Sequence, residues 1–191
     1  IESQLRRLII DDADIVVVGV QEGWSSDQWY GVLEKVVSAE GEKPVEVVGS
    51  CSMGSIHLIV ICRAEMRPYI SSIESHFEAT GVGGVGRNKG GVAVSFWLCN
   101  APMCFVNSHL AAHQGHVEAR NQDVAEIHRK LRVGREMPSG RMDLPQRFQH
   151  IFWMGDLNYR IDLDRAKVLE HVAACEWEEL LSFDQLHAQQ R

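Results

Sequence analysis

Long hydrophobic runs are missing from this 191-residue sequence; stretches such as residues 15–18 are strand-sized, so no segment is apolar for long enough to cross a membrane as a helix. A basic excess is missing too. The formal net charge is −7, which argues against a nonspecific nucleic-acid binder but leaves room for a local basic pocket around a phosphorylated ligand. The five cysteines are odd in number and form no C-x-x-C pair, which points to reduced thiols in the cytosol. No cysteine has an arginine six positions on; those places hold His57, Pro68, Phe105, Leu110 and Leu181, which excludes a cysteine phosphatase signature. The opening residues lack a charged start followed by an apolar stretch and do not match a signal peptide. The first residue is Ile1 and the last four are Ala188, Gln189, Gln190 and Arg191, so a central piece of a longer chain is expected.

What is present is ordinary for a globular domain: 45% hydrophobic and 24% charged residues, with no repeat and no linker. Apolar spacing predicts helices over residues 4–12, with Leu5, Leu8 and Ile9 on one face, over 25–38 and over 117–131. β-branched and apolar runs predict strands over 14–21, 45–50, 56–62, 91–99, 103–110 and 149–154. A loop is expected over 133–148 and two short helices over 164–174 and 176–189. Strands that follow one another directly favour a mixed or antiparallel sheet system with helices outside it.

Four signals carry chemistry. Glu22 follows the strand DIVVVGVQ, and Asp156 and Asn158 follow HIFWMG. Carboxylates mounted on strand ends are held rigidly, and oxygen ligands of this kind suit Mg²⁺. The simpler alternative is that acidic residues often begin loops. His109 ends the strand MCFVNSH, where an imidazole can donate to a phosphate oxygen, while His113 fits a surface or capping position equally well. A glycine-rich stretch, residues 80–91, contains Arg87, Asn88 and Lys89. Gly81, Gly83 and Gly86 satisfy G-x-G-x-x-G, but a strand follows where a dinucleotide site needs a helix, and Lys89 lacks the Walker neighbours. With no covalent nucleophile in evidence, metal-activated water is the economical mechanism.

Taken in order, DIVVVGVQE, NKGGVAVSF, NSHLAAH with VEARNQD, FWMGDLNYRID and FDQL resemble the inositol-polyphosphate 5-phosphatases across nearly the whole chain. That resemblance implies an α/β (α+β) fold, a four-layer α/β/β/α sandwich of two mixed sheets flanked by helices, incomplete at both ends, with residues 1–191 a single partial catalytic domain. It implies a phosphoric monoester hydrolase acting on phosphoinositide lipids or soluble inositol phosphates with Mg²⁺, cytoplasmic or peripheral at membranes, and not acting on nucleic acid. Glu22 would hold the metal, Asp156 would orient or deprotonate water, and Asn158 and His109 would hold the 5-phosphate. Arg160, Lys89, Asn88 and Arg87 would contact substrate, with Arg87 standing where many members carry glycine. The family's upstream W-N-x-G and its downstream P-x-W-C-D-R and S-D-H are not in the chain, so residues 1–191 alone are expected to be inactive. Two other readings stay open: a catalytically dead interaction module, and a nuclease or sphingomyelinase relative of the same superfold.

Overall fold

The computed structural model describes residues 2–9, 13–23, 26–38, 43–81, 88–134 and 141–190. Strands β1 (Ile15–Val20), β2 (Val45–Met53) and β3 (Ile56–Arg63) form an antiparallel sheet in the order β1-β3-β2. Strands β4 (Ile70–Ala79), β5 (Gly90–Leu98), β6 (Ala101–His109) and β7 (His150–Asp156) form a mixed sheet in that order, in which only β6–β7 is parallel. Helices α1 (Glu2–Leu5), α2 (Ser26–Val37), α3 (Val117–Lys130), α4 (Leu144–Arg147), α5 (Arg165–Ala173), α6 (Trp177–Ser182) and α7 (Gln185–Gln189), with a 3-10 helix over Ala64–Tyr69, complete the description. Among them no helix is long and apolar enough to cross a membrane.

Side-chain alternation decides the layering. One face of β3 sends Ile56, Leu58, Val60 and Cys62 against Val92, Val94, Phe96 and Phe105 of the second sheet. Its other face packs Ile59 and Ile61 on Leu33 of α2. On the far side of the second sheet, Ala93, Cys104 and Val106 meet Ile127 of α3 together with Leu131 and Leu144. Two sheets are therefore enclosed between α2 and α3, the expected four layers. Strand β3 is buried on both faces, which is why it is apolar at nearly every position.

Four differences from the sequence reading have physical causes. Strand β4 was not expected, because Ser71, Ser72, Glu74, Ser75 and Glu78 interrupt its apolar pattern. It is an edge strand with an irregular register between Ser71 and Glu74, and edges tolerate polar and charged residues. The first helix ends at Leu5, where the amides of Leu8 and Ile9 both donate to the Leu5 carbonyl, and Leu8 is 79% exposed rather than inward. Within the expected loop, α4 forms with a proline in its first turn. The last expected helix is two, because the Asp184 side chain accepts from the His187 amide at 2.6 Å and starts a new helix.

Candidate active site

Strand register places the sequence candidates. His109 is the last residue of β6, and its parallel partner on β7 is Asp156; on its other side His109 pairs with Gly90, directly after Lys89. Three candidate side chains therefore converge at one end of the second sheet. The His109 imidazole Nε2 meets the Lys89 ammonium and lies 3.5 Å from Oδ2 of Asp156. Since the ammonium can only donate, His109 Nε2 accepts, which describes a neutral imidazole. Burial, followed by the Lys89 charge, pushes His109 below the usual histidine range, against the pull of Asp156 and Glu22. Burial likewise pushes Lys89 down, while Asp156 and Glu22 draw it back up. Glu22, Lys89, His109 and Asp156 share one electrostatic neighbourhood.

Glycine explains how β7 delivers Asp156. Gly155 has φ 126°, and a Cβ there would lie 2.0 Å from the Ser108 carbonyl oxygen, so no other residue can sit beside β6 at this point. Beyond Asp156 the chain turns sharply. Oδ1 of Asp156 accepts from the Asn158 amide at 3.0 Å, and Asn158 has φ 57°. Its side chain is 6% exposed, donates to the Leu110 carbonyl at 3.0 Å and accepts from Arg160. One amide proton of Asn158 remains for a ligand. Arg160 also donates from Nε to the Asn158 carbonyl at 3.1 Å, so it braces Asn158 before anything else. Asn88 is exposed in the turn before β5, and Arg87 lies outside the described residues.

Glu22 comes from the first sheet. It is exposed just past β1 with φ 55°, a left-handed conformation uncommon for a residue other than glycine. The residue that ties this loop to the second sheet is Asn107, which belongs to the NSHLAAH string but had no role assigned from sequence. Asn107 is fully buried on β6 and donates to the carbonyls of Val20 at 3.1 Å and His57 at 2.8 Å, the ends of β1 and β3. Its oxygen accepts from the Gln21 side chain, next to Glu22. Two sequence signals could have exposed it: an amide within an apolar strand, and Gly19 within β1, since glycine in a strand marks close approach.

The donor set is one of hard oxygens. Among the described residues no three His, Cys, Asp or Glu side chains gather as a metal cluster. A cation at Glu22 would draw most of its ligands from water or substrate. Oxygen donors of this kind suit a hard divalent cation rather than the Cys- and His-rich sites of structural zinc.

The family model described as Endonuclease/Exonuclease/phosphatase family 2 matches residues 2–191. The chain is 35% identical over 174 residues to phosphatidylinositol 3,4,5-trisphosphate 5-phosphatase 2B of Danio rerio, a match covering 91% of this chain and 14% of that protein. It is 37% identical over 162 residues to synaptojanin-1 of Rattus norvegicus, covering 83% of this chain and 10% of that protein. In structure it is similar to the inositol polyphosphate 5-phosphatase domain of SPsynaptojanin, solved with inositol (1,4)-bisphosphate and calcium, with TM-score 0.80, 28% identity and coverage of 93% of this chain and 53% of that one. Cimex nitrophorin shares the fold at TM-score 0.65 and 19% identity, covering 93% of this chain and 60% of that one. The chain thus spans a small part of the curated relatives it matches.

Proposed function

The chain belongs to endonuclease/exonuclease/phosphatase family 2, and from that premise we propose that it forms part of a catalytic domain hydrolysing the 5-phosphate of phosphoinositides or soluble inositol polyphosphates. The observation that carries this is the pairing of His109 opposite Asp156, with Lys89 beside them and Glu22 within the same field. The comparisons support the choice of substrate, because the Danio rerio relative is named a 5-phosphatase and the SPsynaptojanin structure is of an inositol polyphosphate 5-phosphatase domain.

Glu22 holds the divalent cation, taken to be Mg²⁺. When bound, that ion supplies positive charge that favours a water nucleophile near neutral pH. Asp156 orients the attacking water and takes its proton. The water oxygen bonds to phosphorus as the phosphorus–oxygen bond to the inositol ring breaks; the departing ring oxygen takes a proton from solvent to become a hydroxyl, Asp156 gives its own proton back to solvent, and inorganic phosphate leaves. The remaining amide proton of Asn158 donates to a phosphate oxygen as charge builds on it, a role that suits a prearranged donor, and His109, whose Nε2 accepts from Lys89, holds that ammonium towards the same oxygens. Lys89 and Arg160 face further phosphates of the ring, with Asn88 beside them.

The test is phosphate release from 5-phosphorylated inositol lipids in vesicles and from soluble inositol polyphosphates. It is run on residues 1–191 and, where the coding sequence continues past either end, on the longer chain. Release that requires Mg²⁺ and vanishes with chelator is expected. No release from either substrate class by the longest chain sinks the proposal.

A further inference from the structure

Arg120 is a fully buried arginine on α3, and an unpaired charge there would be very costly. Its guanidinium donates to the carbonyls of Ala111 at 3.2 Å, His113 at 2.7 Å and Gln114 at 3.2 Å. It also donates to Oε1 of Gln185 at 2.6 Å and lies 5.1 Å from the ring centre of Tyr159. Gln185, at the start of α7, is 4% exposed. Its Oε1 accepts a second time, from the Arg160 amide at 3.0 Å, and its nitrogen donates to the Gln114 carbonyl at 3.0 Å and to Asp162 at 2.7 Å. Every hydrogen-bonding position of that side-chain amide is used.

One guanidinium and one amide thereby join three stretches of chain. Residues 111–114 continue the strand that ends in His109, residues 158–162 continue the strand that ends in Asp156, and Gln185 comes from α7. Resting on the function proposed above, we propose that Arg120 and Gln185 are positioning residues for Asn158 and Arg160. Gln185 fixes the Arg160 backbone, and the Arg160 side chain in turn grips both the carbonyl and the side chain of Asn158. A displacement of about 1 Å at a catalytic group can cost on the order of 10²-fold in rate. The link also gives VEARNQD and FDQL a reason to accompany the site strings: each supplies one half of this brace.

Gln185→Ala removes the acceptor shared by Arg120 and the Arg160 amide, whereas Gln185→Glu keeps an acceptor oxygen. Amide hydrogen exchange and steady-state kinetics on the same preparations test the inference. Gln185→Ala should speed exchange at Arg160 by tenfold or more, leave β5 and β6 protected, and lower kcat by about 10- to 100-fold with a smaller change in KM. Gln185→Glu keeps the acceptor for Arg120 and the Arg160 amide but loses the two donated bonds, so exchange at Arg160 should be slower than in Gln185→Ala. Unchanged protection at Arg160 in Gln185→Ala overturns the inference, as does wild-type kinetics in that variant. Protection lost equally across β5 and β6 also overturns it, since that marks a general loss of stability. If the longest chain releases no phosphate, the proposed function falls, while exchange still decides whether Gln185 holds the segment.

Discussion

Gly19 of β1 and Asn107 of β6 touch across the two sheets so closely that a Cβ on Gly19 would lie 2.6 Å from Cγ of Asn107. Asn107 needs that notch to reach the Val20 and His57 carbonyls. Gly19→Ala should therefore destabilise the fold by about 1–3 kcal/mol through overpacking. Asn107→Ala should cost about 1–3 kcal/mol by removing the buried side-chain donor that bridges the Val20 and His57 carbonyls. Residues in contact do not behave additively, so the double variant should be more stable than the sum of the two losses allows. Denaturant midpoints of the four proteins measure this; strict additivity would mean that the two side chains do not constrain each other.

Glu22 is exposed, so Glu22→Gln should leave the melting temperature within a few degrees of wild type. Under the proposed function it should abolish most Mg²⁺-stimulated turnover, because the ion loses its anionic ligand. Undiminished turnover across a Mg²⁺ titration would remove Glu22 from that role.

Asp156→Asn keeps the shape that accepts from the Asn158 amide but loses basicity. General-base effects of this kind are worth about 10² to 10⁴ in rate. The loss should fall mainly on kcat. A variant with normal kcat and a lowered melting temperature would show Asp156 to be only a turn residue.

Lys89→Ala and Arg160→Ala should raise KM for multiply phosphorylated inositols more than for a simple phosphate ester, because each cation can form charge-assisted hydrogen bonds to phosphate. Arg160→Ala should also lower kcat, since it releases Asn158. Equal effects on both substrates would argue against ring-phosphate contacts.

Asp123 is 8% exposed and accepts from the Ala111 amide at 2.8 Å. Burial is the main cause that raises its carboxyl above the ordinary value of 3.8. A carboxyl whose folded value is raised takes up a proton more readily when folded. Its contribution to stability is present below the unfolded value and is lost as pH rises through the folded one. Relative to Asp123→Asn, the wild-type protein should therefore gain stability as pH falls from 7 towards 4. Urea midpoints at several pH values read this, and a difference that does not change with pH would contradict it.

Strands β3, β5 and β6 were legible because their burial demands long apolar runs, and β1, β2 and β7 because β-branched and aromatic residues cluster in them, and with them the strand ends that carry Glu22, His109 and Asp156. Strand β4 was not, since an edge exposes alternate residues and Ser and Glu serve there as well as Val does. Asn107, Arg120 and Gln185 were hidden for another reason. Asn107 meets carbonyls 50 and 87 residues away, Arg120 meets carbonyls of the preceding loop, and Gln185 meets a backbone amide, a carbonyl and two side chains brought to it by the fold; any residue type supplies a carbonyl or an amide. Only the three-dimensional path shows which polar side chain meets which one.

The parallel pairing of β6 with β7 sets a schedule as well as a geometry. The β2–β3 and β5–β6 hairpins turn through two residues each, at Gly54–Ser55 and Cys99–Asn100, whereas β7 must return to β6 after α3 and α4 have crossed over. Loop closure over such a span is slow and pays its entropy before any contact rewards it. His109 and Asp156 come opposite each other only when that return is complete. During refolding, hairpin signals should rise first and the site should form with the slow phase, so that a half-assembled chain is silent in any assay that depends on the pair.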